Sequence, residues 1–189
     1  MTSARRVLVA GLGNVFLGDD GFGVEVVRRL AERPLPPGVE VADIGIRGVH
    51  LAFELLDGVE QLILVDAARR GDPPGTVSVI EVDGPGGTDA DRADAGSAAA
   101  DGFVPLMDAH DMGPDAVLGL LGALGGHVGR PTIVVTCEPE RLEPGMGLSG
   151  PVADAVEPAA DAVLARLPYD EDVDRNQRDQ SEQEASPCW

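Results

Sequence analysis

A short apolar run, Val7 to Ala10, leads through the glycine-rich segment GLGNVFLGDDG into Val24 to Leu30, whose apolar residues recur at the spacing of a helix face. A strand that feeds a helix through such a turn is half of a βαβ unit, so this junction commits the chain to an α/β architecture. In a parallel sheet these turns lie at the carboxyl ends of the strands, where α/β proteins gather their sites. The turn carries two adjacent carboxylates, Asp19 and Asp20.

The same alternation continues along the chain. Val39 to Asp43 reads as a second strand and His50 to Leu56 as a short helix. Leu62 to Val65 is four apolar residues in a row, the pattern of a central strand covered on both faces. Thr76 to Val82 alternates like a strand with one exposed face, which places it near an edge. Pro114 to Leu124 reads as a helix with proline in its first turn, Thr132 to Thr136 as the last strand, and Pro151 to Leu167 as one amphipathic closing helix. Between them, Asp83 to Asp101 is rich in Gly, Ala and Asp without periodicity and is expected to be a flexible acidic loop. The polar tail of residues 168–189 is expected to be disordered. These elements predict one α/β domain over residues 1–167, doubly wound, with a mostly parallel five-stranded sheet and helices on both faces.

Composition removes several functions. The net charge of -19 disfavours nucleic acid as a partner, because phosphate binding needs clustered cations. All 14 basic residues are arginine, which excludes a Walker-A phosphate loop and any Schiff-base lysine. Gly11 and Gly13 begin a dinucleotide fingerprint, but Phe16 stands where its third glycine belongs. No run approaches the roughly 20 apolar residues of a membrane span, and no signal peptide is evident. Cys137 and Cys188 lack metal-type spacing, so a reduced, cytoplasmic protein is expected, and a monomer.

Three polar positions fall at element ends where a parallel sheet gathers ligands. Asp20 closes the turn after the first strand, Asp66 in LILVDAARR ends the apolar third strand, and His110 in MDAHDMGPDAV precedes the helix at Pro114. Two carboxylates and an imidazole could converge on one divalent ion, offering it oxygen and nitrogen. Each also has a plainer reading: a capping aspartate for Asp20 or Asp66, a solvated loop histidine for His110. Asp19 is expected to cap the following helix and Ser149 the last one. Cys137 after its strand reads as a small buried hydrophobe, and His50 and His127 as structural residues.

GLGNVFLGDDGFGV, DIGIRGVHLAFELLDG, LILVDAA, MDAHDMGP and EPERLEPGMGLSGPV together resemble the ordered motifs of the hydrogenase maturation endopeptidases, the HyaD/HybD-type proteases, over roughly residues 6–167. The resemblance implies an enzyme that trims a carboxyl-terminal extension from a nickel-iron hydrogenase large-subunit precursor once nickel is in place. It also implies that Asp20, Asp66 and His110 form the metal-binding and catalytic trio, with nickel supplied by the substrate rather than tightly held. Many members carry glutamate where Asp20 stands, and a Gly-Thr pair where this chain has Gly45 and Ile46, so the loop from Gly45 to Gly48 is a place for precursor specificity. Two alternatives stay open: a peptidyl-tRNA hydrolase-like esterase, disfavoured by the absent proline after Asn14, and a non-catalytic nickel-dependent assembly factor.

Overall fold

The computed structural model describes residues 6–82 and 113–167. His110, the acidic loop 83–101 and the tail 168–189 lie outside the described residues. Five strands, β1 (Val7–Leu12), β2 (Val39–Gly45), β3 (Gln61–Ala67), β4 (Val77–Val82) and β5 (Thr132–Cys137), form one sheet in the order β2-β1-β3-β5-β4. β1 pairs in parallel with β2 and β3, β3 pairs in parallel with β5, and β4 runs antiparallel at the edge. The direction of β4 follows from chain length. Only residues 68–76 separate β3 from β4, too few for the crossover of a dozen or more residues that a parallel return requires.

Side-chain alternation along the central strands builds two cores. Val7, Val9, Ile63 and Val65 face one way and pack with α1 (Phe22–Ala31), α4 (Gly150–Asp154) and α5 (Val156–Leu164). Leu8, Ala10, Leu62 and Leu64 face the other way and pack with α2 (Gly48–Glu54) and α3 (Pro114–Ala123). Helices therefore cover both faces, as the unbroken apolar run of β3 predicts. On α1, Phe22, Val24, Val26, Val27 and Leu30 are buried. Together they contribute on the order of 10 kcal/mol of transfer free energy, before the entropy of ordering them is subtracted.

Two boundaries differ from the sequence reading. The closing helix is not continuous: it divides at Ala155 into α4 and α5. Pro158 lacks an N–H for the carbonyl of Asp154 and its ring crowds that group, so the helix restarts with proline in its new first turn. The short helix predicted to end at Leu56 finishes as α2 at Glu54, followed by a 3-10 turn over Leu55–Asp57. Among the described residues no helix is long and apolar enough to cross a membrane.

Candidate active site at the carboxyl ends of β1 and β3

The strand order fixes where a site can form. The chain leaves β1 through α1 to reach β2 on one side, then returns through α2 on the opposite face to β3 on the other side of β1. The connections diverge between β1 and β3, and a crevice opens outside their carboxyl ends at such a switch point. The turn after β1 carries Asp20, and Asp66 is the penultimate residue of β3.

Glycines bring the two together. A Cβ at Gly23 would sit 2.2 Å from the Val65 carbonyl oxygen and 2.4 Å from that of Leu12, so the start of α1 rests directly on the ends of β3 and β1. Gly13 has φ +112°, and a Cβ there would fall 1.8 Å from the carbonyl oxygen of Asp20. Only a residue without a side chain lets the turn fold back this closely. Asp20 lies in a 3-10 turn, Gly18–Gly21, that packs against β3. Its Oδ2 accepts a 2.6 Å hydrogen bond from the Asn14 N–H, which closes the turn from within.

Asp66 is 8% exposed. Strand alternation places it on the same face as Leu62 and Leu64, and its Oδ2 lies 3.6 Å from where a Cβ of Gly113 would stand. Gly113 is the residue that opens α3. In register with Asp66 on β5 is Thr136, whose buried hydroxyl has no hydrogen-bond partner among the described residues. Among the described residues, which exclude His110, no group of three His, Cys, Asp or Glu side chains could hold a metal ion.

Asp19 does not cap a helix. Neither the 3-10 turn nor α1 receives a side-chain cap, and Asp19 is fully buried. Its Oδ2 accepts the N–H groups of Glu140 at 2.9 Å and Arg141 at 2.8 Å and the Ser149 hydroxyl at 2.9 Å, while Oδ1 accepts the Ser149 N–H at 2.6 Å. Burial pushes the Asp19 carboxyl up, but the bonds from Ser149, Arg141 and Glu140 outweigh it and hold the group below the ordinary carboxylate value. Ser149 does occupy the N-cap position of α4, yet its hydroxyl turns to Asp19 rather than to the helix.

A third buried carboxylate, Glu138, went unread in the sequence. Its Oε2 accepts the Arg70 N–H at 2.6 Å and the Asp72 N–H at 3.3 Å, tying the loop after β3 to the end of β5. Cys137 is buried as expected, and burial, with Asp19 and Glu138 nearby, pushes its thiol up to about 11. His50 and His127 are exposed. An open cleft of about 780 Å³ lies along α1 beside α5, lined by Glu25, Arg28, Met146, Leu148 and Val156 among others. It reaches the turn at Gly18 and Gly21 but is on the α1 face, away from Asp66. Exposed Phe16, Ile46 and Met146 stand on the loops after β1, β2 and β5, an apolar rim at the same end of the sheet as Asp20.

A family model described as hydrogenase maturation protease matches residues 24–84. The hydrogenase 2 maturation protease of Escherichia coli K12 is 33% identical over 164 residues, 86% of this chain and 90% of that protein. Among solved structures, the hydrogenase maturating endopeptidase HybD from E. coli superposes with a TM-score of 0.62 at 31% identity, covering 86% of this chain and 91% of the other. The hydrogenase 2 maturation peptidase of a Thaumarchaeota archaeon does so with a TM-score of 0.62 at 32% identity, over 86% of this chain and 97% of its own.

Proposed function

The chain belongs to the hydrogenase maturation protease family, and from that premise we propose that it cuts a carboxyl-terminal extension from the large-subunit precursor of a nickel-iron hydrogenase after nickel insertion. The family are proteases, which sets aside the esterase alternative. Asp20, Asp66 and His110 are the residues of the proposed site. The observation that carries this assignment is the convergence of the Asp20 turn and the Asp66 strand end at the β1/β3 switch point. His110 stands three residues before Gly113, a span of at most about 11 Å even for extended chain, and Gly113 abuts the Asp66 carboxylate.

Nickel enters this reading as part of the substrate. Two carboxylates and one imidazole are a donor set suited to a borderline divalent ion, and the ion would supply Lewis-acid polarisation of the scissile carbonyl or a more acidic water. Without a cation, carboxylates sharing one crevice repel and favour protonating one of their number. Asp20, fixed by the Asn14 N–H, brings its charge to the turn after β1, whereas buried Asp66 brings its own to the carboxyl end of the central strand β3. The open position that cleavage needs is left by a set of only three protein ligands. Phe16, Ile46 and Met146 offer apolar contact area of the kind large protein partners use.

Coexpression with the cognate precursor, read by intact mass, tests the assignment. Wild type should yield the trimmed subunit, and Asp66→Asn, Asp20→Asn and His110→Ala should each leave the full-length precursor. Trimming at the normal rate by any of the three removes that residue from the site. A wild-type protein that binds the loaded precursor yet never changes its mass is an assembly factor rather than an enzyme.

A further inference from the structure

The structure assigns to Asp19 the role of a positioning residue: we propose that it fastens the turn carrying Asp20 to the loop after β5, and so sets where Asp20 stands relative to Asp66. The inference rests on the reading above that Asp20 and Asp66 act together. Asp20 is adjacent to Asp19 in the chain, and Asp66 sits on β3, whose neighbour in the sheet is β5. The loop that leaves β5 at Cys137 carries all four donors to Asp19, on Glu140, Arg141 and Ser149. One buried carboxylate therefore ties the turn after β1 to the loop after β5, the two strands that flank β3 in the sheet.

The backbone reinforces the same joint. The Asp19 N–H donates to the Arg141 carbonyl at 3.1 Å, the Gly18 N–H to the Gly145 carbonyl at 2.8 Å, and the Gly145 N–H to the Phe16 carbonyl at 2.9 Å. Residues 140–149 form no helix or strand of their own, so their placement depends on these bonds. Charge-assisted bonds from a fully buried acceptor hold geometry more tightly than neutral ones, and a catalytic group displaced by about 1 Å can lose on the order of a hundredfold in rate. Asparagine at position 19 keeps the volume but presents an NH₂ to donors that need an acceptor. Asp19 itself, fully buried and held by four hydrogen bonds from this chain, does not reach substrate.

The test compares Asp19→Asn, Ser149→Ala and the double variant, using the full chain and nickel-loaded precursor. Thermal melting checks folding, hydrogen exchange reads the joint, and steady-state cleavage separates kcat from KM. Ser149→Ala should lower kcat about 3- to 10-fold and Asp19→Asn about 10- to 100-fold, both with KM within about twofold, the range expected of mispositioning. The double variant should be no worse than Asp19→Asn, because the lost hydroxyl has Asp19 as its partner. Amides of Glu140 and Arg141 should exchange at least about tenfold faster in Asp19→Asn while those of β3 do not change. If Asp19→Asn fails to fold, the Ser149→Ala kcat decides alone. Wild-type kcat in Ser149→Ala, or unaltered exchange at 140 and 141 in a folded Asp19→Asn, overturns the proposal. Asp66→Asn run in parallel separates the failures: if it cleaves normally the site assignment is wrong, and if it is inactive while the Asp19 and Ser149 variants keep full kcat, only the positioning role is wrong.

Discussion

Replacing Gly23 by alanine should destabilise the protein even though alanine is the better helix former. Gly23 lies in the first turn of α1, and its added Cβ would meet the Val65 carbonyl oxygen at 2.2 Å, the Leu12 carbonyl oxygen at 2.4 Å and the Leu12 nitrogen at 2.9 Å. All three are backbone atoms of central strands, so no flexible side chain can give way. Restoring ordinary contact at 3.4 Å or more means lifting the start of α1 by about 1 Å, and a gap of that size forfeits a quarter to a half of the dispersion energy along the lifted face. Overpacking of this kind costs about 1–3 kcal/mol, here at the upper end, against a helix-propensity gain of up to about 1 kcal/mol. The net loss of about 2 kcal/mol should lower the urea midpoint by about 1 M for a slope of about 2 kcal/mol per molar. Gly119 supplies the control: it is exposed within α3 with no described atom within 4 Å of its added Cβ, so Gly119→Ala should gain about 0.5–1 kcal/mol. Equal stabilisation by both substitutions would refute the close approach of α1 to β1 and β3.

Two further outcomes follow from the titrating groups. Because Asp19 is held below the ordinary carboxylate value, its folded-state contribution is complete above the unfolded pKa of about 3.9 and is lost as pH falls through the lower folded value. Urea midpoints taken between pH 5 and pH 3 should fall more steeply for wild type than for Asp19→Asn, and parallel slopes would count against the buried, hydrogen-bonded carboxylate. Cys137, buried with its thiol pushed up to about 11, should resist iodoacetamide at pH 7.5 in a Cys188→Ser background and react once urea unfolds the chain. Rapid native-state labelling would show that the end of β5 is open to solvent.

The sheet was legible because its signal is local. Four apolar residues at Leu62 to Val65 mark a strand covered on both faces, and the alternation of Thr76 to Val82 marks an edge; the structure has both. Asp20 and Asp66 could be located at the right ends of the right elements for the same reason, since parallel strands point their following turns to one side. What local pattern could not separate was Asp19 from Asp20. The two are adjacent, and which one turns inward depends on Ser149, 130 positions away. Sequence separation likewise hides Glu138, whose partners Arg70 and Asp72 lie 68 and 66 residues upstream. Ser149 shows how a correct position can carry the wrong bond: it stands at a helix start, but a buried charge outcompetes the helix for its hydroxyl.

The most direct test of the account is the intact mass of purified precursor, with and without its nickel, after incubation with this protein and with Asp66→Asn. Wild type should release the carboxyl-terminal extension from the nickel-loaded precursor alone, and Asp66→Asn should leave both forms at full length. Cleavage of the nickel-free precursor at the same rate, or trimming by Asp66→Asn, would contradict it.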